Sequence, residues 1–246
     1  MTHSIIFGGS KGLGKVLARQ FADRGDAVSV ISRSEGNSDS NTSKIDYFRA
    51  DISDPAAAAS ALDRAINKNG PISYIVFCQR YRGGAASSWT GEIDISVSSS
   101  KWAVEYLLDK FTAERDRGIV FVSSVFGEKI GEGQDVSYHI GKAGMNHLAR
   151  FYAVNLGHRG IRSNIVSPFT FLKEESRTFY LGNESLCNLY KAMVPLGRMA
   201  EAEDIANVIA FLCSSNAGFL TGQNLCVDGG LSAVWPETLA RKLLSI

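Results

Sequence analysis

A tyrosine and a lysine stand four residues apart in the stretch VSYHIGKAGM, as Tyr138 and Lys142. The stretch has a helical pattern, and positions i and i+4 of an α-helix share a face about one turn apart. A phenol and an ammonium so placed point into one space. They are either an acid–base pair or an ordinary packing pair of an amphipathic helix.

A second chemical signal lies near the N-terminus. The segment IIFGGSKGLGKVLARQF sets Gly8, Gly12 and Gly14 between a β-branched run and a helical pattern. Glycines at such a junction let the chain turn tightly and let a diphosphate reach the N–H groups of the helix N-terminus, where the dipole favours anions. With a strand before it and a helix after it, the turn reads as a dinucleotide site, steric turning alone being the alternative. An NAD site usually has a carboxylate near the end of the second strand to accept from the ribose 2′-OH. Here the chain reads VISRS, with Arg33 and no acid before Glu35. Arg33 and Lys11 favour the extra phosphate of NADP(H) through charge-assisted bonds, unless both are simply solvated cations.

The elements that must position these groups alternate in type. Residues 4–8, 27–32, 45–49, 73–77, 118–123, 161–166 and 224–228 read as strands, and 12–24, 54–68, 98–114, 136–156 and 203–214 carry a period near 3.6. Strands that are apolar throughout and alternate with helices predict an α/β fold, its parallel sheet covered on both faces. Gly25 and Gly70 suit helix C-caps, and the serine-rich 34–43 reads as a polar surface loop. A chain of 246 residues without a linker is expected to form one domain.

Composition narrows the functional classes. Lys and Arg number 26 against 25 Asp and Glu, a formal charge of +1, which gives no reason to expect a nucleic-acid partner. Cys78, Cys187, Cys213 and Cys226 are widely spaced and read as reduced core residues. His3, His139, His147 and His158 have no ligand spacing with them, so no metal is expected. The start MTHSIIFGG lacks a leader pattern, and no run approaches about eighteen apolar residues, so the expectation is a cytoplasmic protein without a membrane partner.

The ordered set of motifs resembles the short-chain dehydrogenase/reductase family: Gly-x-x-x-Gly-x-Gly at the first turn, a serine pair in VFVSS, and Tyr-x-x-x-Lys fourteen residues after Ser124. The stretch PLGRMAEAEDIANVIAFLCSSNAGFLTGQNLCVDGG is similar to the C-terminal third of its 3-oxoacyl-carrier-protein reductase-like members. The resemblance implies a doubly wound Rossmann fold with a seven-stranded, mostly parallel sheet. It makes Tyr138 the proton donor or acceptor, Lys142 the charge that stabilises its phenolate and bonds the nicotinamide ribose, and Ser124 a partner of the substrate oxygen. It places Gly8, Ser10, Lys11, Gly12, Leu13, Gly14, Arg33, Asp51 and Ile52 on the cofactor, Asp51 at the adenine. Asp51 otherwise reads as a helix cap, a role that Ser53 or Asp54 fills better.

The chain also departs from that pattern. FCQRYRGG puts Gln79 and Arg80 where the family has a small residue and a glycine, which implies an altered floor to the cofactor site. Ser96 stands at the place of the family's fourth catalytic residue, an asparagine, so either the serine substitutes or the proton relay runs otherwise. Phe169 replaces a glycine after Pro168, and a phosphate-binding threonine is replaced near Lys173. Arg80 and Arg82, just beyond the fourth strand, are expected either to recognise a carboxylate or phosphate of the substrate or to be exposed loop charges or structural ion pairs. Residues 169–193 correspond to the family's substrate lid, where Phe169, Phe171, Phe179, Tyr180 and Tyr190 either line a pocket or pack the lid. The tail from Pro236, with Leu239, Leu243 and Leu244, suits a subunit contact, so a homotetramer or homodimer is expected. The expected function is NADPH-dependent reduction of a small or medium polar carbonyl compound, such as a sugar or an anionic metabolite, or the reverse oxidation. The alternative is a dinucleotide-sensing or scaffold protein on the same fold.

Overall fold

The computed structural model describes residues 2–34, 44–84, 87–113 and 116–244. Beyond Ser34, the serine-rich loop and Glu35 lie outside the described residues. Seven strands form one parallel sheet: β1 (His3–Phe7), β2 (Ala27–Ser32), β3 (Ile45–Arg49), β4 (Tyr74–Phe77), β5 (Arg117–Val122), β6 (Ile161–Pro168) and, after the two short strands described below, β9 (Asn224–Val227). Their spatial order is β3-β2-β1-β4-β5-β6-β9. The order reverses between β1 and β4, and in doubly wound sheets the crevice at that switch point is where ligands bind.

Both faces of the sheet are buried, which is why its central strands lack polar alternation. Ile5 and Phe7 of β1 pack in one core layer and Ile6 in the other. On the first face lie α2 (Pro55–Asn69), α4 (Ser99–Leu107) and α5 (Val136–Leu156), and on the second α1 (Gly12–Asp23) and α8 (Ala202–Leu212). Phe7, Phe77 and Phe121 stack across neighbouring strands with ring centres 4.9 Å apart at each step, and Tyr152 of α5 continues the row at 6.5 Å. Each buried ring is worth about 2–3 kcal/mol, so this row anchors α5, the helix of Tyr138 and Lys142, against the sheet.

Helix ends follow local chemistry. Asp54 caps α2, accepting from the N–H groups of Ala56 and Ala57, with Pro55 in the first turn and Gly70 at the C-cap with φ 80°. Asp135 caps α5 by accepting from Ser137 N at 2.8 Å. His139 Nε2 accepts from Gly131 N–H at 3.0 Å, so its Nδ1 carries the proton and donates to the Asp135 carbonyl, also at 3.0 Å.

Two expectations need correction. The helix placed at 98–114 instead begins as α3 (Ser88–Ile93), widens into a π turn (Asp94–Ser98) and ends with α4 at Leu107. It stops early because the following chain is drawn into β-type pairing: Ile72 N–H bonds the Lys110 carbonyl and Thr112 N–H bonds the Ile72 carbonyl. All four cysteines are free, but of these only Cys213 is buried in the core: Cys78 is half-buried against it, Cys187 is half-buried on a helix of the 169–193 segment that has no buried residue, and Cys226 is exposed on the sheet edge. The segment from 169 to 193 builds β7 (Phe171–Leu172), α6 (Arg177–Leu181) and α7 (Glu184–Met193), and β7 pairs with β8 (Ala200–Glu201). The tail forms α9 (Pro236–Leu244), starting at the proline. Among the described residues no helix is long and apolar enough to cross a membrane.

Candidate active site

A cleft of about 870 Å³ opens where β1, β4 and β5 end. Its floor is the glycine turn. Gly8 has φ 80°, and a Cβ there would stand 2.7 Å from the Gln79 backbone nitrogen, so the β1 and β4 exits touch through backbone. A Cβ on Gly14 would stand 2.4 Å from the Gly8 carbonyl oxygen, so only glycine lets α1 start this close to β1. Lys11 precedes α1 in extended conformation, and no side chain caps the first turn. Its N–H groups are therefore suited to an anion.

Ser10, Lys11, Gly12, Leu13, Gly14, Arg33, Asp51 and Ile52 all line this cleft together with Gly8. Arg33 is exposed, and Ser10 and Ser34 hydroxyls bond beside it at 3.0 Å. Ile52 is buried, whereas the Asp51 carboxylate accepts from Ser53 N at 3.0 Å and from Ser53 Oγ at 2.7 Å. Asp54, not Asp51, caps the helix.

Ser124, Tyr138 and Lys142 line the same cleft. Ser124 leaves β5 in extended conformation, and its Oγ accepts from Phe126 N at 3.2 Å. Its hydroxyl also acts on the Tyr138 phenol, favouring the ionised form. Burial pushes the Tyr138 phenol above its ordinary pKa; Ser124 opposes that shift, Glu92 adds to it and Arg80 opposes it. Lys142 is 4 % exposed. Its Nζ donates to the Val122 carbonyl at 3.2 Å, touches Met145 Sδ at 3.7 Å and lies 5.6 Å from the Tyr138 ring centre. Burial lowers its pKa to about 8, with Glu92 resisting and Arg80 assisting.

The departures sort themselves by direction. Gln79 turns its amide away from the cleft centre, donating to Ser100 Oγ at 2.9 Å and the Ile95 carbonyl at 3.3 Å, so its side chain ties β4 to α4. Ser96 is fully buried and does not line the cleft; its Oγ donates to Glu92 Oε2 at 3.1 Å. Glu92 itself does line the cleft, and sequence reasoning missed it. The only signal was a glutamate one turn before Ser96, which reads as an exposed helix charge until packing buries it. Arg82 pairs with Glu175 at 3.4 Å. Arg80 takes part in no salt bridge among the described residues, and its charge reaches Tyr138, Lys142 and Lys173. Among the lid aromatics, Phe169, Phe171 and Tyr180 all line the cleft; Phe171 is buried against the core with Lys173 Nζ 4.6 Å from its ring centre, and Phe169 and Tyr180 meet edge to face with Tyr190, each 5.9 Å away.

Known proteins resemble this chain in sequence and fold. Residues 8–232 match the family described as enoyl-(acyl carrier protein) reductase. The chain is similar to cis-4-hydroxycyclohexanecarboxylate dehydrogenase of Sinomonas cyclohexanicum, at 30 % identity over 94 % of this chain and 96 % of that protein. It is similar to the 3-oxoacyl-(acyl-carrier-protein) reductase FabG of Escherichia coli, at 28 % identity over 94 % and 97 %. Its fold matches the aldohexose dehydrogenase of Thermoplasma acidophilum with a TM-score of 0.84 and 25 % identity, over 96 % of this chain and 95 % of that one. With its parallel sheet, glycine turn and Ser-Tyr-Lys wall, the chain belongs to the short-chain dehydrogenase/reductase family, as an oxidoreductase of carbonyl and alcohol substrates.

Proposed function

We propose that the protein is an NADP(H)-dependent oxidoreductase that interconverts a ketone and a secondary alcohol on a small, anionic substrate. The observation carrying this reading is the convergence of Ser124, Tyr138 and Lys142 on the cleft that the glycine turn also lines. A dinucleotide suits that turn: Lys11 makes no side-chain cap to the first helical N–H groups, and glycine at Gly8 and Gly14 lets β1, β4 and α1 approach closely enough to form it. Lys11 and Arg33 line the same end of the cleft and suit a 2′-phosphate. When bound, the nicotinamide supplies or accepts a hydride.

The chain's own groups handle the proton. Tyr138 O–H donates to the carbonyl oxygen in reduction and accepts from the alcohol in oxidation. The Ser124 hydroxyl, whose Oγ accepts from Phe126 N, is free to donate its one proton to that oxygen and fix its position. The Lys142 ammonium stabilises the phenolate left behind, and a dry wall strengthens that attraction. The burial of both groups also restricts water at the reacting oxygen.

The anionic substrate follows from unbalanced charge. Arg80 and Lys173 repel one another across the cleft, and burial and Arg80 together lower the Lys173 pKa. A substrate carboxylate or phosphate relieves that repulsion. The relative from Sinomonas is named for a substrate with both a ring alcohol and a carboxylate, which supports the same class. Arg82, paired with Glu175, is assigned to the lid rather than to substrate. Phe169 lies on the substrate side of the cleft, where its ring covers the apolar part of the ligand. The free cysteines suit the cytoplasm. α9 has no buried residue, and Trp235 and Leu244 stand 69 % and 67 % exposed, which supports a homotetramer or homodimer.

The test is a calorimetric titration with NADPH and with NADH, then kinetics on cyclic ketones with and without a carboxylate. The reading expects NADPH to bind more tightly, Arg33→Ala to remove that preference, and Arg80→Ala to raise KM for the carboxylated ketone alone. Failure of both nucleotides to bind overturns it.

A further inference from the structure

Glu92 is a carboxylate inside the protein, 6 % exposed and the buried residue of α3. An ionised carboxylate in such a place is strongly unfavourable without compensation. Its hydrogen-bond partner is neutral: Ser96, one turn on and fully buried, donates to Oε2 at 3.1 Å. α3 packs against α5 at Gly141, where a Cβ would lie 3.5 Å from Glu92 Oε2, 3.5 Å from the Glu92 carbonyl oxygen and 3.4 Å from Ser96 Cβ. The next residue is Lys142, a cation as deeply buried as Glu92, whose own bonds also go to neutral groups, the Val122 carbonyl and Met145 Sδ. Two buried groups of opposite charge, each with neutral hydrogen-bond partners, thus share one wall of the cleft.

We propose that Glu92 is the counter-ion of Lys142, a positioning residue whose carboxylate, held by Ser96, keeps the lysine protonated in the dry wall of the cleft. The inference rests on the acid–base role given to Lys142 above. Burial raises the Glu92 pKa and lowers that of Lys142, and each partner opposes the other's shift, Lys142 lowering the glutamate and Glu92 raising the lysine. The other groups facing Lys142 are Arg80 beyond β4 and Lys173 in the lid, which drive its proton off, Cys78 at the end of β4, which resists that, and Tyr138 on its own helix. Arg80 and Asp135 also face Glu92, with opposite effects. Glu92 therefore opposes burial first and the two cations second, all of which lower the lysine pKa. Ser96 acts through Glu92, since it touches the cleft nowhere itself.

The experiment reads the lysine directly in the whole protein without nucleotide. The chain is labelled with 13C at lysine Cε, the Lys142 resonance is assigned by its loss in Lys142→Arg, and its chemical shift is followed over about pH 5.5 to 10. Glu92→Gln, which keeps the bond from Ser96 and removes the charge, is expected to lower the Lys142 midpoint by about one pH unit. Glu92→Asp is expected to retain most of the wild-type midpoint. Ser96→Ala, which removes the hydrogen bond favouring the ionised carboxylate, is expected to lower the midpoint by less than Glu92→Gln does. A midpoint that stays put or rises in Glu92→Gln overturns the proposal, since a purely structural glutamate changes melting temperature without moving it. Should Glu92→Gln not fold, an unmoved midpoint in Ser96→Ala overturns it instead. Because no nucleotide is used, failure of NADPH to bind is a separate result.

Discussion

Lys142 Nζ lies 5.6 Å from the centre of the Tyr138 ring and donates to the Val122 carbonyl rather than to the phenol. The cation faces the aromatic ring, while the Ser124 hydroxyl acts on the phenol and favours its ionised form. Positioning and charge are thus divided between two side chains from two elements, the β5 exit and α5.

Tyr138→Phe removes the proton donor and little else, because the ring packs edge to face on Phe126 with centres 6.5 Å apart. Turnover is expected to fall by about 10²–10⁴-fold, the usual worth of a positioned acid or base. NADPH affinity, measured by calorimetry, is expected to change by less than about threefold, roughly the worth of one neutral hydrogen bond.

Lys142→Met is expected to stabilise the fold near neutrality. Burial lowers the lysine pKa from 10.5 to about 8 in the folded chain, so below about 8 the folded state holds a charge at full penalty. Between about 8 and 10.5 the unfolded chain binds more protons than the folded one, and wild-type stability rises with pH through that window. The advantage of methionine is therefore up to about 3 kcal/mol at neutral pH and fades above about pH 8. Urea unfolding of both proteins across that range checks it, while activity is lost.

Glu175→Gln is expected to tighten NADPH binding. A Cβ on Gly12 would stand 3.3 Å from both Glu175 carboxylate oxygens, so the lid sets its anion against the glycine turn, held by Arg82 at 3.4 Å. The diphosphate of NADPH needs the same end of the cleft, and like charges there repel. A gain of about three- to tenfold in affinity, shrinking as salt is raised, is the expected calorimetric result.

Gly14→Ala tests the steric side of the turn. Its new Cβ would meet the Gly8 carbonyl oxygen at 2.4 Å, a backbone atom that cannot move aside without shifting β1 or α1. A loss of about 2–4 kcal/mol of stability is expected in urea unfolding, together with weakened NADPH binding.

Periodicity alone located all seven strands of the main sheet and placed α5 at its observed bounds, because strands buried on both faces and helices buried on one leave distinct patterns along the chain. The same local information identified Gly8, Gly12 and Gly14 and the Tyr138–Lys142 pair, where function depends on spacing within a single turn or helix. The tertiary structure decided the rest. It buried Glu92 against Gly141, turned Gln79 toward Ser100, withdrew Ser96 from the cleft and gave Arg82 a partner 93 residues away. None of these is visible locally, because a glutamate, a glutamine and an arginine read alike as polar until the fold sets which of them loses water and what charge replaces it.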